Sequence, residues 1–600
     1  MKKSILLCGI LACLSAMPTA YASDTVMISE QKLQELAQHR QWQHLIFVKR
    51  GKGEVISPNF YLTAPKGGRG LKIQAEKELQ ATLAAKSPEM ICRYPARYLW
   101  LSQQLGWQID FDHCANLPNK NQAISLILVG SYLKNPASTF GHILVKTDDG
   151  NTPKDTGNLL SNSYNYGATI PQNENGVLYA LKGLFGVYQA GFAQAQFFTQ
   201  DAVYAQNEQR DMWEYALSLD DDNKALLNYH LHEVQGAKFS YFFIKQNCGY
   251  RSGELLELIS DIKMTNRLGG WYAPEFVFDQ MNDFHQQSAI IDKITYHPSE
   301  QNLVRGYFEQ LPKALQHKIN EFIRTENETI FDAMSEADQS LALDFLIAHR
   351  NYKASQKNSE HHQAVNKKLV AKRLALPAGN RLTDLQQPQK PRPTDGNRTT
   401  KAGVYATKDE FGVMGAMFSK DPLDSQTELD RRFDAVRVEL GIQDDRLRLK
   451  AFDFLHLEQI ENLANRLAGE PKLSWRLQAG VQPDVFANKQ SMTFATGGVG
   501  LGGYLHSNRK VLGYVFANAV LSDSERHLDG QVQIGVRAKH DNLAAQLAHQ
   551  AWYRPTKGWQ QNTQATLRYG LGMRHDVRLR ADFDHQSRQS AMQVGWHYYW

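Results

Sequence analysis

Met592-Gln-Val-Gly-Trp-His-Tyr-Tyr-Trp600 closes the chain, with Met592, Val594, Trp596, Tyr598 and Trp600 at every second position. In an extended strand those five share one face, and the chain stops on an aromatic. The same period runs upstream. Val577, Leu579, Ala581 and Phe583 alternate with Arg578, Arg580 and Asp582, and Val436, Val438 and Leu440 alternate with Arg437 and Glu439. About a dozen such segments, parted by turn-like clusters such as Ser507-Asn508-Arg509 and Ser522-Asp523-Ser524-Glu525, fill residues 403–600.

Alternation alone suits a soluble sandwich or closed periplasmic barrel, with its greasy face in a core, as well as a barrel with that face in lipid. Three features favour an antiparallel transmembrane β-barrel of about 12 strands. The other face would hold the Arg, Asp, Glu and Gln residues of a polar lumen, the strand number is large for a lone sandwich, and the last strand resembles the terminal signal of bacterial outer-membrane proteins.

Upstream the character changes. Residues 376–402, with Gln-Pro-Gln-Lys-Pro-Arg-Pro-Thr-Asp-Gly at their centre, are polar, proline-rich and aperiodic, which reads as a linker or long surface loop. Residues 301–375 carry helical spacing. Residues 121–300 mix apolar strand-like runs at Ala123–Leu133, His142–Thr147 and Leu159–Ala168 with helices at Lys224–Gln235 and Gly249–Asp261, and 23–120 form a lead-in or cap. Met-Lys-Lys, an apolar stretch from Ile5 to Met17 and the small-residue site at Ala20–Ala22 give residues 1–22 the order of a secretory signal peptide. No other segment is apolar enough for a membrane helix. A net charge of +5 over 600 residues excludes nucleic acid as a partner and leans only slightly toward anionic membrane surfaces.

Export sharpens the cysteine count. Of five cysteines, Cys8 and Cys13 lie in the signal peptide, leaving Cys92, Cys114 and Cys248 in an oxidising compartment. Cys92 and Cys114 are close in sequence and form the expected disulfide. Cys248 is odd, and is either a buried core thiol or a used one. An apolar segment, Tyr241-Phe-Phe-Ile, leads to Asn247-Cys248-Gly249-Tyr-Arg251 and an apolar-periodic helix, so Cys248 falls in a helix's first turn, where free N–H groups favour a thiolate. A base is expected in Asn135-Pro-Ala-Ser-Thr-Phe-Gly-His142, where His142 starts a strand; the bland alternative is an ordinary loop histidine. Asn165 or Ser163, on the neighbouring strand, would orient the imidazole, and Asn247 and Gly249 would support the oxyanion. His230 and His232 point to different helix faces, His361-His362 is a solvated pair, and no Cys-x-x-Cys or His-Glu-x-x-His occurs, so neither a metal nor another cofactor is expected.

Cys92-Arg-Tyr-Pro-Ala-Arg97, Asn135–His142, Gly183-Leu-Phe-Gly-Val-Tyr188, Glu208-Gln-Arg-Asp-Met-Trp213, Tyr241-Phe-Phe and Asn247-Cys248 together resemble the Lnb N-terminal periplasmic domain family, over roughly residues 30–300. The resemblance implies a circularly permuted papain-type thiol fold like that of lecithin retinol acyltransferase-like enzymes, with histidine preceding Asn-Cys. It implies Cys248 as nucleophile, His142 as base, and acyl transfer from a phospholipid donor to an amine, such as a lipoprotein N-terminus. Bulky Leu184, Phe185, Tyr188 and Phe192 suit lipid tails or ordinary core packing equally. The expected whole is an outer-membrane-anchored thiol acyltransferase facing the periplasm. A thiol hydrolase of lipid esters or peptidoglycan peptides, or a non-catalytic barrel with a docking domain, are the alternatives.

Overall fold

The apolar run Ala123–Val129 forms β1, buried on both faces from Ile124 onward in the computed structural model of the chain. The structure describes residues 28–66, 70–132, 141–148, 160–171, 174–265, 270–356, 360–378, 381–443, 446–464, 466–487, 491–506, 508–524 and 528–600. The expected signal peptide and Asn135–Phe140 lie outside them.

β1 is an interior strand of a seven-stranded sheet with β2 (His142–Asp148), β3 (Asn162–Ala168), β4 (Tyr188–Gln196), β5 (Met212–Leu217), β6 (Phe239–Tyr241) and β7 (Ile291–His297). The spatial order is β6-β4-β3-β2-β1-β5-β7, and every pairing is antiparallel. The alternation of β1 divides its residues between two layers. Leu126 and Leu128 join a large core that also takes in Leu36, Trp42, Tyr98 and Trp100 from the N-terminal helices, while Ile127 and Val129 pack with Phe197, Tyr204 and Met212 on the other face. The 28–120 segment therefore shares one core with the sheet. It is cross-linked by the Cys92–Cys114 disulfide, Cα–Cα 5.3 Å.

Helices Glu300–Gln310, Lys313–Thr325, Glu336–Gln356 and Glu360–Leu374 build a second core around Phe308, Phe322 and Phe345. The proline-rich segment after them is tied down. Tyr215 and Thr394 hydroxyls meet at 3.0 Å, Lys390 Nζ bridges Asp211 and Glu428 at 3.1 Å each, and Thr394, Asn397 and Thr400 are buried.

Twelve antiparallel strands, β8 (Lys401–Ala406) to β19 (Gln589–Tyr599), then close into a barrel, with β8 paired to β19 through Lys401↔Tyr599. The strands between include β9 (Phe411–Lys420), β10 (Arg431–Gln443), β11 (Arg446–Gln459), β12 (Ser474–Pro483), β15 (Leu528–His540) and β18 (His575–Asp584). Val577, Leu579, Phe583, Met592, Val594 and Trp596 are exposed on the outer wall, as a lipid-facing belt requires. Inside, buried cations and carboxylates pair: Arg537 with Glu458 at 2.6 Å, Arg568 with Asp576 at 2.9 Å, Arg554 with Asp529 at 2.8 Å. No helix among the described residues is long and apolar enough to cross a membrane.

The two barrel ends differ. On the side where the chain enters, the connections 421–430 and 460–473 are long; on the other side none exceeds the seven residues of 484–490. Leu467 of the 460–473 turn enters the helical core. The 421–430 turn folds into the barrel mouth. Lys539 Nζ of β15, six strands round from β9, donates to the Asp424 and Thr427 carbonyls at 2.6 and 2.8 Å, Arg537 Nη1 donates to Leu429 O at 2.9 Å, and Tyr599 donates to Asp424. The turn is thus bonded across the mouth to the far wall.

Candidate functional site

Gly141 swings the chain into β2 with φ +92°, in the left-handed region, and a Cβ there would stand 3.0 Å from the Val129 carbonyl. The turn sets buried His142 as the first residue of β2. On β3, Asn165 pairs with Leu144, and its Oδ1 lies 2.6 Å from His142 Nε2. Asn165 Nδ2 donates to the Tyr204 hydroxyl at 3.5 Å, so the carbonyl end faces the ring. Nε2 then carries the imidazole proton, and Nδ1 keeps the lone pair a base needs.

Asn247 caps the helix Cys248–Ile259 by accepting from Tyr250 N at 3.2 Å, while its amide donates to Phe243 O at 2.9 Å and Tyr272 O at 2.7 Å. Both side-chain amide hydrogens are occupied, so the Asn247 side chain shapes the turn and has no donor left for an oxyanion. Gly249 lies where a Cβ would come 2.9 Å from Pro274 Cα, which lets the helix start sit close against that proline. The helix packs on β2 and β3. The Cys248 thiol is free and buried at the start of this helix. No hydrogen bond joins thiol and imidazole among the described residues. Ser163, the other candidate for orienting the ring, donates to Ala195 O at 2.9 Å and stitches β3 to β4.

Burial governs the electrostatics. It pushes the Cys248 thiol up to about 11 against the pull of the Ile143 and Gly249 N–H groups and of Arg210, and it pulls His142 down to about 4, with Arg210 lowering it further and Asn165 opposing. At neutral pH both groups are uncharged. A neutral thiol beside a neutral imidazole with a free Nδ1 can still react, provided the proton moves as the sulfur attacks.

Two site residues went unnoticed in the sequence. Tyr204 lies in a π-helical turn, Ala202–Asn207, its ring 5.7 Å from that of His142. Arg210 follows Gln209, whose φ is +57°, and it donates through Nε to Gly130 O at 2.6 Å and through Nη1 to Glu208 at 2.7 Å. The quoted Glu208–Trp213 motif contained Arg210; nothing in the periodicity marked Tyr204.

The remaining candidates lie apart. Buried His230 stacks on Phe47 at 5.3 Å. Cys92, His113 and Cys114 form a cluster of metal-ligating residue types, but both sulfurs are in the disulfide. Tyr188 and Phe192 are core residues, whereas Leu184 and Phe185 are exposed.

Residues 111–277 match the model of the Lnb N-terminal periplasmic domain family, a narrower span than the resemblance suggested. Residues 34–104, which include Cys92–Arg97, match a domain of unknown function (DUF7843), and 430–600 match another (DUF7840). A search of curated proteins found no match. Among solved structures, the KdgM porin in complex with disordered oligogalacturonate and the NanC porin are each 6% identical, with 34% of this chain and 98% of that chain covered and a TM-score of 0.23. A loop L8 deletion mutant of OmpT, an outer membrane protein of Vibrio cholerae, is 10% identical over 34% of this chain and 97% of its own, with a TM-score of 0.18. These likenesses say nothing of function. The chain thus joins a region matching the Lnb N-terminal periplasmic domain, in the periplasm, to a closed twelve-stranded barrel in the outer membrane.

Proposed function

We propose that the protein is a periplasmic thiol acyltransferase anchored by its barrel, with Cys248 as nucleophile, His142 as base and Asn165 as the residue that orients the imidazole. The observation that carries this reading is the convergence of Cys248, at a helix start, with a His142–Asn165 pair whose Nδ1 is the free ring nitrogen. Histidine on a strand and cysteine on a later helix packed against it also fits a permuted papain-like arrangement.

The acyl donor is a phospholipid of the membrane the barrel occupies. As Cys248 sulfur attacks the ester carbonyl, its proton passes to His142 Nδ1, and the carbonyl oxygen takes up negative charge within reach of the first N–H groups of the helix, those of Cys248 and Gly249. Collapse breaks the C–O bond, the lysophospholipid alkoxide takes the proton from His142, and a thioester remains. An amine, with a lipoprotein N-terminus as the preferred class, attacks that thioester through nitrogen; the thiolate leaves and regains the proton from the amine through His142. Hydrolysis differs only in using water at the second step. Burial of Cys248, which keeps bulk water from the thioester, favours transfer.

Full-length protein incubated with labelled phospholipid should gain one acyl mass at Cys248 and lose it to an added amine acceptor. Absence of the adduct with every donor overturns the reading, and release of free fatty acid without transfer converts it to the hydrolase.

A further inference from the structure

A cavity of about 910 Å³ lies between the thiol domain and the entry-side mouth of the barrel. One wall is the end of β1 and the segment before β5, with Gly130, Tyr132, Arg210 and Trp213; the opposite wall includes Leu473 and Trp475 at the start of β12.

Most cations on this cavity are already paired. Lys390 serves Asp211 and Glu428, Lys420 Nζ stands 2.8 Å from Glu275, and Arg305 Nε stands 2.7 Å from Glu470. Arg210 is paired too, through Nη1 with Glu208 at 2.7 Å, but it is 2% exposed and among the described residues its Nη2 has no hydrogen-bond partner. Trp213 Nε1, on the same wall, is likewise buried and unpartnered. Leaving two buried donors unsatisfied is unfavourable, and a ligand with anionic oxygens would satisfy both.

The position of Arg210 narrows the ligand. It acts electrostatically on both Cys248 and His142 but hydrogen-bonds neither, so an anion held on Nη2 would sit near the reacting carbonyl without being the reacting group. A glycerophospholipid has that layout, its phosphodiester separated from the acyl esters by the glycerol carbons. Trp475 and exposed Leu473, at the start of β12, give the same cavity an apolar edge suited to acyl chains.

Resting on the acyl-transfer reading above, we propose that this cavity binds the phosphodiester of the acyl donor, with Arg210 Nη2 and Trp213 Nε1 donating to its oxygens, so that Arg210 sets specificity for phospholipid over neutral glyceride.

The test compares acyl capture at Cys248 from phosphatidylglycerol and from diacylglycerol of the same chains, in mixed micelles, by intact mass of the full-length protein. Wild type should favour phosphatidylglycerol; Arg210→Gln should lower that ratio on the order of tenfold, as loss of a charge-assisted hydrogen bond does, and Arg210→Lys should restore part of it. Trp213→Phe should lower the ratio less, and it stands in for Arg210→Gln if melting curves show that variant unfolded. A ratio of about one in wild type, or a ratio unmoved in Arg210→Gln and Trp213→Phe, overturns the proposal while leaving thiol acyl capture intact. No adduct from either donor in wild type overturns both.

Discussion

His142 Nε2 and Asn165 Oδ1 face each other at 2.6 Å across adjacent antiparallel strands, and this contact fixes which ring nitrogen is free. Asn165→Ala leaves the ring free to turn and to exchange tautomers, so acyl capture should fall roughly 10–100-fold, less than the 10²–10⁴-fold expected of His142→Ala. Initial rates of labelled-lipid capture decide it; equal rates for wild type and Asn165→Ala would remove Asn165 from the site.

The pH behaviour follows from burial. Cys248 is pushed up to about 11 and His142 down to about 4, so no thiolate–imidazolium pair exists at rest. Alkylation of Cys248 by iodoacetamide should rise continuously from pH 6 to pH 10, and a rate already level from pH 5 would contradict a neutral pair. For stability, the unfolded chain protonates its histidine first on acidification. The contribution of neutral His142 is therefore complete above 6.5 and is lost as pH falls toward about 4. His142→Phe should flatten that part of the Tm–pH curve.

Arg97 is wholly buried between two carboxylates, with Nε 2.6 Å from Glu233 and Nη1 3.4 Å from Glu78. Removing the cation strands two buried acids, so Arg97→Ala should cost about 3–5 kcal/mol, read by chemical denaturation of the full chain in detergent. Arg97→Ala with Glu233→Gln should recover part of the loss.

The 421–430 turn predicts a barrel that does not conduct. Asp424 is held by Tyr599 at 2.8 Å, by Lys401 at 3.3 Å and by Arg578. Planar bilayers should show no steady pore with the native protein, and deleting residues 422–429 should open one. Stable channels from the native protein would refute this closure.

Sequence disclosed the barrel well because its signal repeats. Alternation at Val577–Phe583 and Met592–Trp600 recurs in strand after strand, and a period of two admits one geometry. In the thiol domain, β1 stood out as an apolar run, but β4, Tyr-Gln-Ala-Gly-Phe-Ala-Gln-Ala-Gln, has small and polar residues that carry no strong propensity, and it is a strand because β3 and β6 pair with it. The pairing of Cys92 with Cys114 needed only a count of cysteines; the roles of Tyr204 and Arg210 depended on a π-helical turn and a left-handed Gln209, which local sequence does not encode. The proline-rich stretch after residue 376 reads as a linker or long surface loop because composition reports what a segment lacks. It does not report neighbours such as Tyr215 and Asp211, which hold that segment in place.

The uneven lengths of the barrel turns also bear on how the cell is seen from outside. With no outward connection longer than seven residues, the molecule offers antibodies and bacteriophages a thin rim of short hairpins, while its bulk hangs behind the membrane. Surface labelling of intact cells should therefore find few accessible sites.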